Sequence, residues 1–414
     1  MERKLTSTEA ASAAAIQRAI DQLAGGGRLV LPAMELELDR GLHLRSGVEV
    51  VGQGKATVLR KGPGRIYPLS GYHNYGMCDV PLHSVAGLEV GMTVSVHDGS
   101  SHGGFYETFA TITWIDGDWV GLDHGIEADY AASDAPCLTT IYPLVFGHNI
   151  EGAAIRDVWL EGNRADNETH MGGCRGGAVY FYQSRDIEIS GIRERDFYGE
   201  GLSFQMCREV VVKDCHFDEN TGNGLHPGAG STNALFENCH AEGNGKSGFF
   251  FCVRANHISV RNCSFKSNES GLSIGTRDCN NLIENCCIED NRGAGLLIRK
   301  TPRPTEVHSC LVRNCRIRNN ALESGRGQVE IENDAHDLLF VNNRIAANKE
   351  RASAGFALGA MVRAIYLEGN SCENCAVDLE GEPGSLVDVP PRIECGYGAA
   401  SALNFRHLNY PILR

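Results

Sequence analysis

Several large classes are closed to this 414-residue sequence by what it lacks. No run of 18 apolar residues occurs, so no segment reads as a membrane-spanning helix, and no membrane partner is expected. The N-terminal stretch MERKLTSTEAASAAA has no continuous apolar core of the kind a secretory leader needs. A reduced, cytoplasmic location is therefore expected, unless a leader has been removed. Basic runs are missing and the formal net charge is −14, which argues against a nucleic-acid partner. There is no phosphate-binding loop and no dinucleotide fingerprint. Cys286-Cys287 and Cys372-x-x-Cys375 have no partner pairs at zinc-site spacing, so no metal and no cofactor are expected. Aromatic residues make up only 7 %, against 49 glycines, a balance that suits a turn-rich all-β chain.

What the sequence does contain is a repeat. In register it reads VVKDCHFDEN, LFENCHAEGN, SVRNCSFKSN, LIENCCIEDN, LVRNCRIRNN and LFVNNRIAAN. One column holds Cys215, Cys239, Cys263, Cys286, Cys315 and Asn343, and a second holds Asn220, Asn244, Asn268, Asn291, Asn320 and Asn348. The first column advances by 24, 24, 23, 29 and 28 residues, and the two columns never slip against each other, so the longer steps carry their extra residues in loops. Such self-similarity marks a solenoid, in which each unit buries its apolar face only by stacking on the next. Runs such as VVVKDCHF alternate apolar with polar residues, the period of a strand. A unit of this length suits three short strands and three turns, one coil of a parallel β-helix. Asparagines stacked at one bend would hydrogen-bond along the axis at the strand spacing of about 4.8 Å, and the cysteines would be small, inert interior fillers.

Upstream, Thr8 to Ala24 reads as an amphipathic helix with Ile16, Ile20 and Leu23 on one face, a cap at Ser7 or Thr8, and a stop at Gly25-Gly26-Gly27. It leads into RLVLPA and LHLRSGVEVVGQG and would cover the open end of the solenoid. The stretch AIQRAIDQLAGGGRLVLPA, then LHLRSGVEVVGQGKATVL, resembles the N-terminal cap and first coils of the pectate-lyase-like (pectin-lyase-fold) superfamily. The resemblance implies an all-β, right-handed parallel β-helix with three strands per coil, an N-terminal capping helix and a small antiparallel β insertion. The expected segments are cap and first coils over 1–83, insertion over 84–143, main helix over 144–379, and a tail over 380–414 covering the last coil. It implies a carbohydrate substrate, and association into homotrimers through flat lateral faces is known in the superfamily. Its members include lyases, hydrolases, transferases, epimerases and non-catalytic proteins, so the reaction does not follow from the fold.

In each coil the strand after the Asn bend should send alternate side chains outward, and these would stack into one surface strip. Its members are Tyr180, Tyr182, Ser203, Gln205, His226, Phe250, Cys252, Arg254, Ser273, Arg277, Leu297, Arg299, Glu330, Glu332 and Asp334. In the superfamily this face carries the substrate groove, and the resemblance places the site here, with Arg254, Arg277, Arg299, Tyr180, Tyr182 and Gln205 as sugar-binding candidates. His170, in the glycine-rich loop from Arg164 to Gly177, is a further one.

Three functions compete. Glu330 and Glu332 are two apart on one strand, about 7 Å, within the roughly 5 to 9.5 Å at which two carboxyls can divide acid and base or nucleophile roles at a glycosidic bond. Crowding of like charge would keep one protonated, and Asp334 is in reserve as a third. The alternative is a lyase or epimerase for an acidic sugar. There, stacked arginines neutralise the uronate carboxylate and His226, or an arginine, moves the proton. Asp278, Glu269 and Glu332 could instead neutralise Arg254, Arg277 and Arg299, leaving a purely structural column. A non-catalytic glycan-binding helix is the third reading. Glu330 and His226 are four coils, about 19 Å, apart and cannot share one bond-making event. The Asn-x-Asp, Asp-Asp, Gly-His-Gly and Arg-x-Lys set of the pectin-hydrolysing branch is missing. So is the Asp-Pro-His motif of the alginate-epimerising branch, which Leu225-His226-Pro227 only echoes.

Overall fold

The computed structural model describes residues 1–71, 73–99, 107–140, 143–167, 176–332, 334–351 and 353–399, and regular structure within them is almost all strand. Packing divides the chain into two compact units. One comprises Met1–Ser184, Glu188–Gln205 and His216–Leu225; the other comprises Arg185–Ile187, Met206–Cys215 and the chain from His226 onward.

The first unit opens with the strand Glu2–Lys4 and the helix Ala13–Gln22. The helix starts later than its apolar pattern suggests because Thr6 and Glu9 form a turn of their own. Thr6 N donates to Glu9 Oε2 at 2.8 Å, and Glu9 N to Thr6 Oγ1 at 3.3 Å. Ser12 is the N-cap, accepting from Ala15 N at 3.2 Å. Ile16, Ile20 and Leu23 are buried as one face, and Gly25 and Gly26 leave the helix at φ of 97° and 136°. The long strand Val48–Lys61 then pairs in parallel with Gly27–Val30, Met34–Leu38 and Ala154–Glu161, seeding the first coils. A second parallel sheet runs Leu42–His43, Val145–His148, Gly177–Tyr182, Glu200–Gln205.

Six antiparallel strands interrupt this unit: Ile66–Pro68, Asp79–Pro81, Thr93–His97, Thr108–Asp116, Trp119–Leu122 and Cys137–Thr139. The first two precede the expected boundary at residue 84. They pair with Cys137–Thr139 and Trp119–Leu122 across long sequence separations, and three-residue strands show no alternation to betray them. One apolar core, including Val80, Val94, Ile112, Val120 and Leu138, holds the six together.

In the second unit three strands recur in every coil. One parallel stack climbs from Leu235–Glu237 to Arg363–Glu368, another from His240–Glu242 to Ser371–Glu373, and a third from Phe249–Phe250 to Leu379–Glu380. The bends between them are left-handed. Asn238, Asn262, Asn285, Asn314 and Asn342 all have φ between 54° and 56°, a conformation Asn tolerates better than most residues. Each is followed by a member of the Cys column, which explains the recurrent Asn-Cys pair. The ladder cysteines are buried, and no disulfide joins any described cysteine. Cys239 N donates to Cys263 Sγ at 3.4 Å and Cys286 N to Cys315 Sγ at 3.5 Å.

The asparagine ladder runs Asn244 to Asn268 to Asn291 to Asn320 through amide–amide bonds of 2.9, 3.3 and 2.7 Å. It does not continue to Asn348. Asn320 donates instead to Gln328 Oε1 at 3.2 Å, because the longer loop of that step brings Gln328 into the slot, and Asn348 accepts from Glu350 N. The tail also departs from expectation. Val387 N bonds the last coil at Ile365 O, but Gly396 N reaches Asn280 O, Tyr397 N reaches Ser259 Oγ and Gly398 N reaches Asn233 Oδ1. Residues 387–398 therefore run from the last coil back over earlier ones.

Candidate functional site

The strip can be followed within each unit. In the first, parallel register aligns Phe146, Tyr180 and Ser203 in one column and His148, Tyr182 and Gln205 in the next. Much of this face is covered. Phe109 of the antiparallel sheet packs edge-on against Phe146, His148 and Tyr180, with ring centroids 5.5, 5.5 and 6.1 Å apart. Tyr180 is consequently only 3 % exposed, so protein rings occupy the stacking surface a sugar would need. Tyr182 is half-buried, and Gln205 is buried, donating to Ser203 Oγ at 3.0 Å. Burial in this aromatic cluster pushes the imidazoles of His43 and His148 down to about 3 and about 4, so both are neutral near pH 7. His170 lies outside the described residues.

In the second unit the register pairs Phe250 with Ser273, Ser273 with Leu297, and Leu297 with Glu330, one continuous outward column. His226 joins it through an edge-on contact with the Phe250 ring at 5.0 Å. Its Nε2 lies 3.3 Å from the Cys252 carbonyl oxygen, and the residue is 1 % exposed.

Around Phe250 a buried polar group has formed. The Arg299 guanidinium lies 4.2 Å over the ring, donating from Nη1 to Ser273 Oγ at 2.6 Å and from Nη2 to Phe251 O at 2.7 Å. Its Nη2 is also 3.7 Å from Asp278, whose carboxylate is fully buried and accepts from Ala255 N and Gly275 N at 2.9 and 2.8 Å. Burial raises the Asp278 pKa to about 6, against the pull of these amides, Arg299 and His226. Gly275 makes the arrangement feasible: a Cβ there would sit 2.1 Å from Arg299 Nη2. Of the three carboxylates that could neutralise the arginines, Asp278, Glu269 and Glu332, Asp278 is the one that Arg299 uses.

The three arginines do not form one column. Arg254 and Arg277 occupy equivalent left-handed bends, at φ of 62° and 58°, whereas Arg299 follows a strand in the place that Gly275 takes one coil earlier. The long loop after Arg299 breaks the spacing. Arg254 and Arg277 are exposed, and among the described residues neither has an ion-pair partner.

The carboxylates are engaged. Glu330 is buried, and its Oε1 accepts from Arg326 N at 2.6 Å and Gly327 N at 3.3 Å. Glu332 pairs with the Arg326 side chain at 2.8 Å. Where like-charge crowding was expected, Arg326 stands between the two carboxylates. Asp334 pairs with Arg303 at 2.5 Å, which holds its carboxyl below the usual range. Among the described residues no group of three or more His, Cys, Asp or Glu side chains is placed to hold a metal ion.

Parallel coils of three strands, stacked over an asparagine ladder and carrying an outward strip, define a parallel β-helix. The family described as "Right handed beta helix region" matches residues 124–274 and 229–387, and the chain belongs to it. Solved structures share the fold. The A-module of mannuronan C-5 epimerase AlgE6 from Azotobacter vinelandii matches with a TM-score of 0.60 at 18 % identity, over 92 % of this chain and 96 % of that one. The AlgE4 A-module from the same organism matches with 0.56 at 17 %, over 90 % and 94 %. An exopolygalacturonase from Thermotoga maritima gives 0.49 at 14 %, over 92 % of each chain. No curated protein matches the sequence.

Proposed function

We propose that the chain is a carbohydrate-active protein that acts on an acidic, uronate-containing glycan lying along the second unit's strip, by lyase or epimerase chemistry. One observation carries this reading: Arg254 and Arg277, one coil apart, present exposed guanidiniums that have no carboxylate partner among the described residues, on a chain whose net charge is −14. A row of uronate carboxylates is the complement such a pair lacks. The likeness to two mannuronan C-5 epimerase modules points the same way. The reaction would begin with removal of the proton beside a uronate carboxylate that an arginine neutralises. Expulsion of the neighbouring glycosidic oxygen by the resulting electron pair gives a lyase; return of a proton to the opposite face gives an epimerase. We assign the proton to His226, the imidazole of this strip; because it is 1 % exposed, the assignment requires that the sugar uncover it on seating against Phe250 and Cys252.

Hydrolysis by Glu330 and Glu332 is the weaker reading, because both carboxylates are already bound by Arg326 or its backbone. The test incubates the protein with polygalacturonate, mannuronan and guluronan. It reads ultraviolet absorbance of unsaturated uronate and the epimer ratio by proton NMR. Product from an acidic polymer is expected, falling about a hundredfold or more in His226→Gln. Silence on every polyuronate sinks the proposal. New reducing ends without unsaturation, lost in Glu330→Gln, would install the hydrolytic reading in its place.

A further inference from the structure

Two of the chain's three tryptophans stand on a single hairpin of the antiparallel insertion, and each is 42 % exposed. In that hairpin Trp119 pairs with Asp116 and Gly121 with Trp114; on the other side Trp119 pairs with Pro81 and Gly121 with Asp79. Val120, between Trp119 and Gly121, and Ile115, between Trp114 and Asp116, face the apolar core of the insertion. Both indoles therefore project from the opposite, water-facing side. Gly121 lets Trp114 lie against its neighbour's backbone, since a Cβ at that position would be 2.0 Å from the indole Nε1. The Trp119 ring is braced by buried His73, 6.0 Å between centroids. Placed diagonally across the strand pair, about 7 Å apart, the indoles make a platform longer than one sugar ring.

Two carboxylates share the face. Asp116 is exposed and has no partner among the described residues, and Asp79 is half-buried with one oxygen 3.9 Å from His73 Nε2. Exposed indoles beside these carboxylates offer apolar stacking together with hydroxyl acceptors. An acidic glycan would be repelled by Asp116, and a protein partner would have to desolvate it unpaired.

We propose that this face of the insertion binds neutral sugar rings, with Trp114 and Trp119 stacking on successive residues of a glycan and Asp116 and Asp79 accepting their hydroxyls. This goes beyond the acidic-glycan reading and does not depend on it.

Affinity electrophoresis of the full chain in xyloglucan, mixed-linkage β-glucan and glucomannan, with polygalacturonate as the acidic comparator, tests it. At least one neutral glycan should retard the protein. Trp119→Ala and Trp114→Ala should each weaken that retardation about tenfold, the upper range for an aromatic contact, while Trp119→Tyr retains most of it. The Arg254→Ala/Arg277→Ala double variant should bind neutral glycan unchanged, which separates this face from the acidic site. Absence of retardation in all three neutral glycans overturns the proposal. So does retardation that persists in alanine variants with native circular dichroism. A shift from dimer to monomer in sedimentation of the tryptophan variants would give the face to a second copy, and also overturns it.

Discussion

Arg299 reaches Asp278 across the outward strand, 3.7 Å from a carboxylate with no solvent exposure. A buried carboxylate loses its compensation when its partner is removed, which is costlier than deleting the pair together. Arg299→Met should lower the unfolding free energy by about 3 to 5 kcal/mol, and adding Asp278→Asn should recover part of the loss. The pH dependence has a definite sign. The Asp278 pKa is raised from 3.8 to about 6, so between these values the native state holds the proton more tightly than the unfolded chain. Its contribution is greatest below pH 3.8, declines as pH rises to about 6, and is level above. Urea midpoints from pH 4 to 7 should show this decline in the wild type relative to Asp278→Asn; parallel curves would contradict it.

Lys61 behaves in the reverse sense. Its ammonium is buried and donates to Asn167 Oδ1 at 2.6 Å and to the carbonyls of Gly62 and Thr140 at 3.4 Å. Burial lowers its pKa from 10.5 to about 7. From pH 7 to 10.5 the unfolded chain holds the proton that the native state has released, so stability gains from this residue as pH rises. Thermal midpoints of the wild type, measured against Lys61→Met, should climb across that window. A constant difference would show that the amine titrates as in the unfolded chain.

The asparagine ladder separates a column that can be read in sequence from a contact that can only be seen in space. Asn268 Oδ1 accepts from both Asn244 N and Asn244 Nδ2, and its own amide donates to Ala241 O and Asn291 Oδ1. Asn268→Ala strands buried donors and acceptors and should cost about 3 kcal/mol or more in chemical denaturation. Asn348→Ala, at the same column position, should cost under about 1 kcal/mol, as for a half-buried residue outside the network. Equal losses would contradict the closure of the ladder by Gln328.

That contrast shows where sequence reading reaches its limit. Coils, bends and the strip were legible because stacking repeats the same demand every coil, so Cys239, Cys263 and Cys286 recur for one reason. The antiparallel strands before residue 84 were not, since their partners are distant and each is too short to show a period. Within the strip, alternation showed that Glu330 and Arg299 face outward but not what they touch. Gly325 and Gly275 sit beside them, each leaving room that a Cβ would take, and such pair-specific fits carry no periodic signal. Tyr180 was misread for a related reason: Phe109, which covers it, belongs to the non-repeating insertion.

Arg254 and Arg277 supply the remaining prediction. Both guanidiniums lie in solvent, so their attraction to a polyuronate is screened by salt, over about 8 Å at physiological ionic strength. Affinity for polygalacturonate or mannuronan should fall steadily as sodium chloride rises. Arg254→Ala and Arg277→Ala should each weaken binding about two- to fivefold, the range for exposed ion pairs. The double variant should lose about tenfold if the effects combine, with a shallower salt dependence. Since neither side chain pairs with a carboxylate among the described residues, the thermal midpoint should stay within a degree or so of wild type, as for surface substitutions. Calorimetric titration at three salt concentrations checks both expectations. Unchanged affinity in the double variant would show that these arginines do not face the glycan, and would leave the acidic-substrate reading without its main support.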